Sequence, residues 1–227
     1  MVSHRLVKLQ RDLASTFYRR PIPVLETLNN HARLLSWIKS QKAQAFADRF
    51  ALHAYVHENF VSGGAIDYLE FGVFQGESFA YWLDMEVHPD SRFYGFDTFT
   101  GLPTDWSAHF RRGHFDVEGT TPSVKDDRGQ FIKGLFQETL PPFLTAFAPA
   151  GRQLVIHNDS DLYSSTLYVL ASMNHLLVPG TIIIFDEFAS PMHEWRAWND
   201  YCDAFMRRAT LIGYTEPYAV QAAFRID

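Results

Sequence analysis

Residues 65–78 read Ala65-Ile66-Asp67-Tyr68-Leu69-Glu70-Phe71-Gly72-Val73-Phe74-Gln75-Gly76-Glu77-Ser78. The run through Val73 has the apolar character of a strand buried in a parallel sheet. Gly72 and Gly76 then let the backbone turn tightly and approach a ligand closely. A helix expected from about Glu77 to Met85 points its N-terminus into that turn. The G-x-G-x-x-G spacing of dinucleotide-binding loops is incomplete, because Phe74 stands where a second glycine would be. A bulky residue there argues against a pyrophosphate threading the loop. Taken alone, the stretch also reads as an ordinary glycine-containing strand-to-helix turn.

Working outward, short apolar runs recur at 92–97, 130–136, 153–157 and 181–185, with two more around 210–214 and 219–226. They alternate with helical or loop segments, which implies an α/β fold with a doubly wound, mostly parallel sheet of seven strands. The last two runs are separated only by Thr215-Glu216-Pro217-Tyr218, too short for a helical crossover, so they are expected to pair antiparallel. Residues 1–60 read as helical. Leu25, Leu28, Leu34, Leu35 and Ile38 recur near helical spacing, Pro21 and Pro23 punctuate the start, and a second helical stretch is expected over 43–60. We expect a helical cap or dimerisation element over 1–60, a single α/β domain over 61–227, and a homodimer as one assembly. The stretch 101–129, with Trp106, His109 and His114, lacks periodicity and is expected to be a lid over a site.

The chain has 227 residues, 47% of them hydrophobic, which suffices for one substantial core. A formal charge of −6 and a pI of about 5.9, without a basic stripe, argue against a nucleic-acid partner. The pairs Arg19-Arg20, Arg111-Arg112 and Arg207-Arg208 read as solvated surface. Cys202 is the single cysteine, so an intrachain disulfide is ruled out and a cytoplasmic location is expected. The opening Met1-Val2-Ser3-His4-Arg5 lacks the apolar stretch of a signal peptide. No apolar run approaches the ~20 residues of a membrane span.

In open parallel sheets, ligands bind outside the carboxyl ends of the strands. The second run ends at Asp97, where an acid can accept both ribose hydroxyls of a nucleoside, with Phe99 placed to stack on the base. A turn or capping role is the plain alternative for Asp97. The fourth run leads into Asp159-Ser160-Asp161 and the fifth into Asp186-Glu187. Four carboxylates at neighbouring strand ends are costly to crowd together without a cation. Oxygen-rich clusters of this kind suit Mg2+ or a similar hard cation. Asp161 precedes a helix start and is expected to cap it.

Taken together, these segments resemble the macrocin O-methyltransferase family, whose members methylate sugar hydroxyls of natural products. The likeness covers roughly residues 65–190, in order: 68–78; Phe96-Asp97-Thr98-Phe99-Thr100-Gly101-Leu102-Pro103 with Trp106; 134–141; 159–166; and Asp186-Glu187. It implies a Rossmann-like fold that binds S-adenosylmethionine (SAM), and a small-molecule hydroxyl acceptor. Cofactor contacts are implied at Glu70, Gly72, Gly76, Ser78, Asp97, Thr98 and Phe99, with Gln137 and Glu138 as candidates for the adenine edge. The implied metal ligands are Asp159, Asp186 and Glu187. The family pair after the fifth strand is Asp-Asp, whereas this chain has Glu187, and His157-Asn158 replaces a more apolar lead-in to Asp159. Asp159, His109 and His114 are the candidates to take the acceptor's proton. Two rivals stand beside this reading. Asp159-Ser160-Asp161 is a D-x-D that can hold a cation against a sugar nucleotide, as in metal-dependent glycosyltransferases. A catalytically silent SAM-fold scaffold would keep the glycine turn and Asp97 without turnover.

Overall fold

The computed structural model describes residues 4–17, 23–61 and 63–227; Arg19, Arg20 and Pro21 lie outside the described residues. The strands are β1 (Gln44–Phe46), β2 (Ile66–Phe71), β3 (Arg92–Asp97), β4 (Gly129–Lys133), β5 (Gln153–Asn158), β6 (Ile182–Phe185), β7 (Ala209–Thr215) and β8 (Ala222–Ile226). They form one sheet in the order β1-β7-β8-β6-β5-β2-β3-β4. Only β8 runs against its neighbours, antiparallel to both β6 and β7. The helices are α1 (His4–Phe17), α2 (Pro23–Ser40), α3 (Arg49–Phe60), α4 (Glu77–Met85), α5 (Phe136–Ala146), α6 (Tyr163–Met173) and α7 (Glu194–Phe205).

Two expectations change in detail. The sheet has eight strands, not seven, because Gln44-Ala45-Phe46 pairs parallel to β7 with Phe46 opposite Thr215. The Asp48 side chain accepts the Ala51 N–H at 2.9 Å and caps α3, so that helix cannot begin at residue 43. Three residues are too few for strand alternation to show in sequence. The run 130–136 also divides: β4 stops at Lys133, Gly134 turns the chain at φ 146°, and α5 starts at Phe136. Gln137 and Glu138 therefore sit in the first turn of a helix, one step beyond a strand tip.

Strand alternation sorts the core into two layers. Ile66, Tyr68, Phe93, Val155, Ile182 and Ile184 face Leu52 and Val56 of α3 and Phe79 and Trp82 of α4. Leu69, Phe71, Phe96, Ile156, Ile183 and Phe185 face the other way, onto Leu140 of α5, Val169 and Leu170 of α6, and Trp195 and Trp198 of α7. All six residues of β2 and all four of β6 are buried, as strands covered on both faces require. The second layer also takes in Leu34 of α2, and Trp37 packs 5.2 Å from Trp195. Leu25, Leu28 and Leu35 on the same helix stay exposed. Among the described residues no helix is long and apolar enough to cross a membrane.

Candidate active site

A cavity of about 670 Å³ opens at the carboxyl ends of β2, β3, β5 and β6. Gly72, Phe74, Asp97 and Thr98 line one side, and Asp159, Asp161, Asp186 and Glu187 the other. Trp106, Phe110 and Phe115, from the stretch after β3, supply an aromatic wall. A larger groove of about 1180 Å³ lies at the opposite ends of the strands, around Arg92, Gln153 and Thr181. It reaches none of the strand-tip acids. The rule that ligands sit at carboxyl ends in open parallel sheets places the site in the first cavity.

The glycine turn is tied to the second strand. Asp97 accepts the backbone N–H groups of Val73 and Phe74, each at 2.8 Å, and that of Phe99 at 2.8 Å. The carboxylate thus organises the loop while staying on the cavity wall. Gly72 has φ +92°, and a Cβ there would stand 1.7 Å from the Asp159 carbonyl oxygen. Only a glycine lets the first turn and the acidic strand end touch.

Of the residues expected to hold a cofactor, Gly72, Asp97, Thr98 and Gln137 line the cavity. Glu70, Gly76, Ser78, Phe99 and Glu138 do not. Glu70 is buried behind the wall, bonded to the Tyr68 hydroxyl. Gly76 starts α4 in a left-handed conformation, with Pro122 packed over it. Ser78 is buried in the first turn of α4. Phe99 is fully buried with its ring 6.0 Å from Phe131, so the expected stacking on a base has no exposed face to use. Glu138 is exposed on α5.

The acids converge as expected in part. Asp159, Asp186 and His157 place one donor atom each within 4.8 Å of one another. Glu187 lines the same cavity but lies outside that trio. Asp186 is 7% exposed, and its Oδ1 has no hydrogen-bond partner. An orphaned, buried carboxylate oxygen among further carboxylates is the environment a hard cation satisfies, so these residues fit one. Surrounding protein, then Asp186 and Asp161, push the Asp159 carboxyl well above the usual range. Burial and Glu187 push Asp161 up to about 7. Burial and Asp186 push Glu187 up to about 7. Asp161 is not the expected helix cap. Leu162 holds the N-cap position of α6 without a side-chain bond, and Asp161 has φ 58° and turns to the cavity.

Two charged neighbours escaped the sequence reading. Glu194, fully buried at the start of α7, accepts Asn158 Nδ2 at 2.8 Å and the Glu187 N–H at 3.0 Å. Burial, Asp161 and Asp186 hold its carboxyl well above the usual range. Arg49 of α3 pairs with Glu77 and reaches Asp186 at 3.8 Å. Neither sits at a strand end, and nothing in its local sequence marks it. The loop histidines lie away from this cluster. His109 and His114 are exposed and absent from the cavity wall, with His114 packed 4.4 Å from the outer side of Phe115. His193 instead packs against the aromatic wall, with its ring 6.3 Å from Trp106.

These carboxyls contribute to the pH dependence of the metal-free fold. Asp161 and Glu187 sit at about 7 in the folded chain, above their ordinary 3.8 and 4.5. Between those values the folded state binds more protons than the unfolded one, so stability falls as pH rises. It is fully present below the ordinary values and is lost as pH passes about 7. Thermal denaturation in EDTA should show Tm falling steadily from about pH 5 to about pH 8. A Tm that rises across that window contradicts the raised carboxyls.

A doubly wound sheet with a glycine turn and paired acids at its strand tips defines a Rossmann-like enzyme class that handles nucleoside-bearing cofactors. The chain belongs to the family described as "Methyltransferase domain", which matches residues 69–188. It is 36% identical over 90 residues to 8-demethyl-8-(2,3-dimethoxy-alpha-L-rhamnosyl)-tetracenomycin-C 4'-O-methyltransferase of Streptomyces olivaceus. That match spans 37% of this chain and 31% of the relative's length. Among solved structures, the calicheamicin methyltransferase CalS11 is 22% identical with a TM-score of 0.56, covering 99% of this chain and 94% of that one. An O-methyltransferase from Bacillus cereus in complex with SAH is 14% identical with a TM-score of 0.53, covering 87% and 90%. Both structures share the fold.

Proposed function

We propose that the chain is a SAM-dependent O-methyltransferase that acts on a sugar hydroxyl of a small natural product, assisted by a divalent cation. The observation that carries this reading is the single cavity joining the Gly72–Asp97 turn to Asp159, Asp186 and Glu187. When bound, SAM supplies an electrophilic methyl group, and the cation supplies Lewis-acid polarisation of the acceptor oxygen. Gly72, Asp97, Thr98 and Gln137 are the residues for the cofactor; Asp159 and Asp186 are those for the cation, with Glu187 beside them. Asp161, on the cavity wall beside the cation residues, is suited by position to receive the hydroxyl proton. The Streptomyces olivaceus relative is named for 4'-O-methylation of a rhamnosyl compound, and CalS11 for 3'-O-methylation of TDP-rhamnose. A deoxysugar, free or on an aglycone, is the acceptor class to try first. The N-terminal helices, with Leu25, Leu28 and Leu35 exposed, fit a cap or self-association element.

The test is methyl transfer from labelled SAM to TDP-rhamnose and to rhamnosides, with and without EDTA. Transfer that EDTA suppresses and a divalent cation restores supports the reading. Failure of the chain to bind SAM in a calorimetric titration removes it.

The aromatic wall makes a further expectation. Trp106 packs 4.9 Å from Phe110, and the 101–129 loop is folded on itself through Leu102 and His114. Trp106→Ala should raise the acceptor KM about tenfold, the equivalent of ~1.4 kcal/mol of lost contact. His109→Ala and His114→Ala should change kcat by less than about twofold, since surface positions remote from a site are near neutral. A large kcat loss in either histidine variant would return the proton-acceptor role to the loop.

A further inference from the structure

We propose that His157 is a third ligand of the metal centre, so that this chain holds a mixed nitrogen–oxygen site preferring Mn2+ and later first-row cations to Mg2+. The inference rests on the metal-assisted reading above and specifies its ion. It begins with strand register. His157 on β5 lies opposite Glu70 on β2, and parallel pairing puts both side chains on the face toward α3 and α4. Tyr68, two residues before Glu70, shares that face.

The two ring nitrogens of His157 then have different fates. Nδ1 lies 3.2 Å from the Tyr68 hydroxyl and 3.3 Å from Glu70 Oε2. Nε2 is buried and has no hydrogen-bond partner, on a residue that is 0% exposed. A buried imidazole with one nitrogen held by a hydroxyl that a carboxylate backs, and the other open, matches metal-binding histidines, in which the outer partner fixes tautomer and ring orientation. The donor distances agree. His157, Asp159 and Asp186 have ligand atoms within 4.8 Å of one another. Donors on one ion with bonds of about 2.1 Å stand roughly 3–4 Å apart, a small contraction from here. Asp186 Oδ1, also buried and unpartnered, faces the same need.

Packing gives His157 no other occupation for Nε2. The ring meets His53 edge-on at 5.1 Å, but His53 takes its bond from Trp82 Nε1 at 3.2 Å through Nδ1, and its own Nε2 is unpartnered too. Arg49 closes the other side, 3.8 Å from Asp186. Imidazole nitrogen discriminates between cations in a way carboxylates alone do not. It suits the first-row transition series, in which affinity rises toward copper, whereas Mg2+ favours oxygen and water.

The test uses the full chain without SAM, titrated with Mn2+ and, separately, Mg2+. Mn2+ should bind at least about tenfold more tightly, and pulsed EPR of the bound Mn2+ should show coupling to a nitrogen nucleus. His157→Gln should abolish that coupling and weaken Mn2+ about 10- to 100-fold, and Glu70→Gln should weaken it less while keeping the coupling. Bound Mn2+ without nitrogen coupling in the wild-type chain overturns the proposal, whether or not the variant folds. So does coupling that persists in folded His157→Gln. No Mn2+ binding at all overturns this proposal and the metal role together. Nitrogen-coupled Mn2+ in a chain that transfers no methyl group leaves the site standing and removes the methyltransferase reading instead.

Discussion

Asp159→Asn is expected to bind SAM with unchanged affinity and to transfer methyl groups at least ~10³-fold more slowly than the wild-type chain. The substitution preserves shape and the backbone contacts of residue 159, whose N–H bonds the Phe71 carbonyl at 2.8 Å. It removes one oxygen of a cation site from a cluster that includes Asp186 and Asp161. Thermal denaturation of the metal-free variant, expected to match the parent, checks that lost activity is not unfolding. The cofactor side of the cavity, at Gly72, Asp97 and Thr98, is untouched. Asp161→Asn separates the two acidic roles. It should keep Mn2+ affinity within about threefold while lowering kcat roughly 10²-fold, the range of a lost proton acceptor. Calorimetry for SAM, a metal titration and an initial-rate assay on the same preparations decide the matter. Wild-type turnover by Asp159→Asn would end the metal-assisted reading.

Strand tips were legible because burial and turning leave chemical marks. A run such as Ile182-Ile183-Ile184-Phe185 has no use on a surface, and Asp186 follows it at the point where the chain must leave the sheet. The same logic located Gly72, Asp97 and Asp159. What escaped it were placements set by packing between distant segments. Phe99 follows Asp97 closely enough to suggest a base-stacking ring, yet φ 55° sends it into the core against Phe131. His109 and His114 sit in the right loop, but the loop folds back and turns Trp106, Phe110 and Phe115 inward instead. Arg49 and Glu194 reach the acids from helices more than a hundred residues apart in sequence, a proximity no local pattern encodes. The strand β1 was hidden for a different reason: its three residues are too few for alternation to show.

Gly72→Ala should be the most damaging small substitution in the chain. At φ +92° an L-residue is strained, and the new Cβ would stand 1.7 Å from the Asp159 carbonyl oxygen. That oxygen is backbone, anchored by the neighbouring Asp159 N–H to Phe71, so it cannot swing aside as a side chain would. Either β2 and β5 part at their tips or the Asp159 peptide moves, and both routes disturb the cofactor turn and the acidic cluster at once. A loss of at least ~4 kcal/mol follows from strain plus overpacking, or roughly 8–16 °C in Tm for a chain of this size. Gly76→Ala is the control. It too has positive φ, +79°, but its Cβ would meet side chains alone, the Pro122 ring at 2.9 Å and Val73 Cγ1 at 3.9 Å. That contact is looser than 1.7 Å and is relieved by a shift of the loop that carries Pro122, so the loss should stay below that of Gly72→Ala, near ~1–2 kcal/mol. The two glycines look alike in sequence and differ in what lies above them. If Gly72 matters only as a flexible link, the variants will melt together and Gly72→Ala will retain both SAM and Mn2+ affinity. If it is the contact between the two halves of the site, Gly72→Ala alone will lose both ligands in parallel.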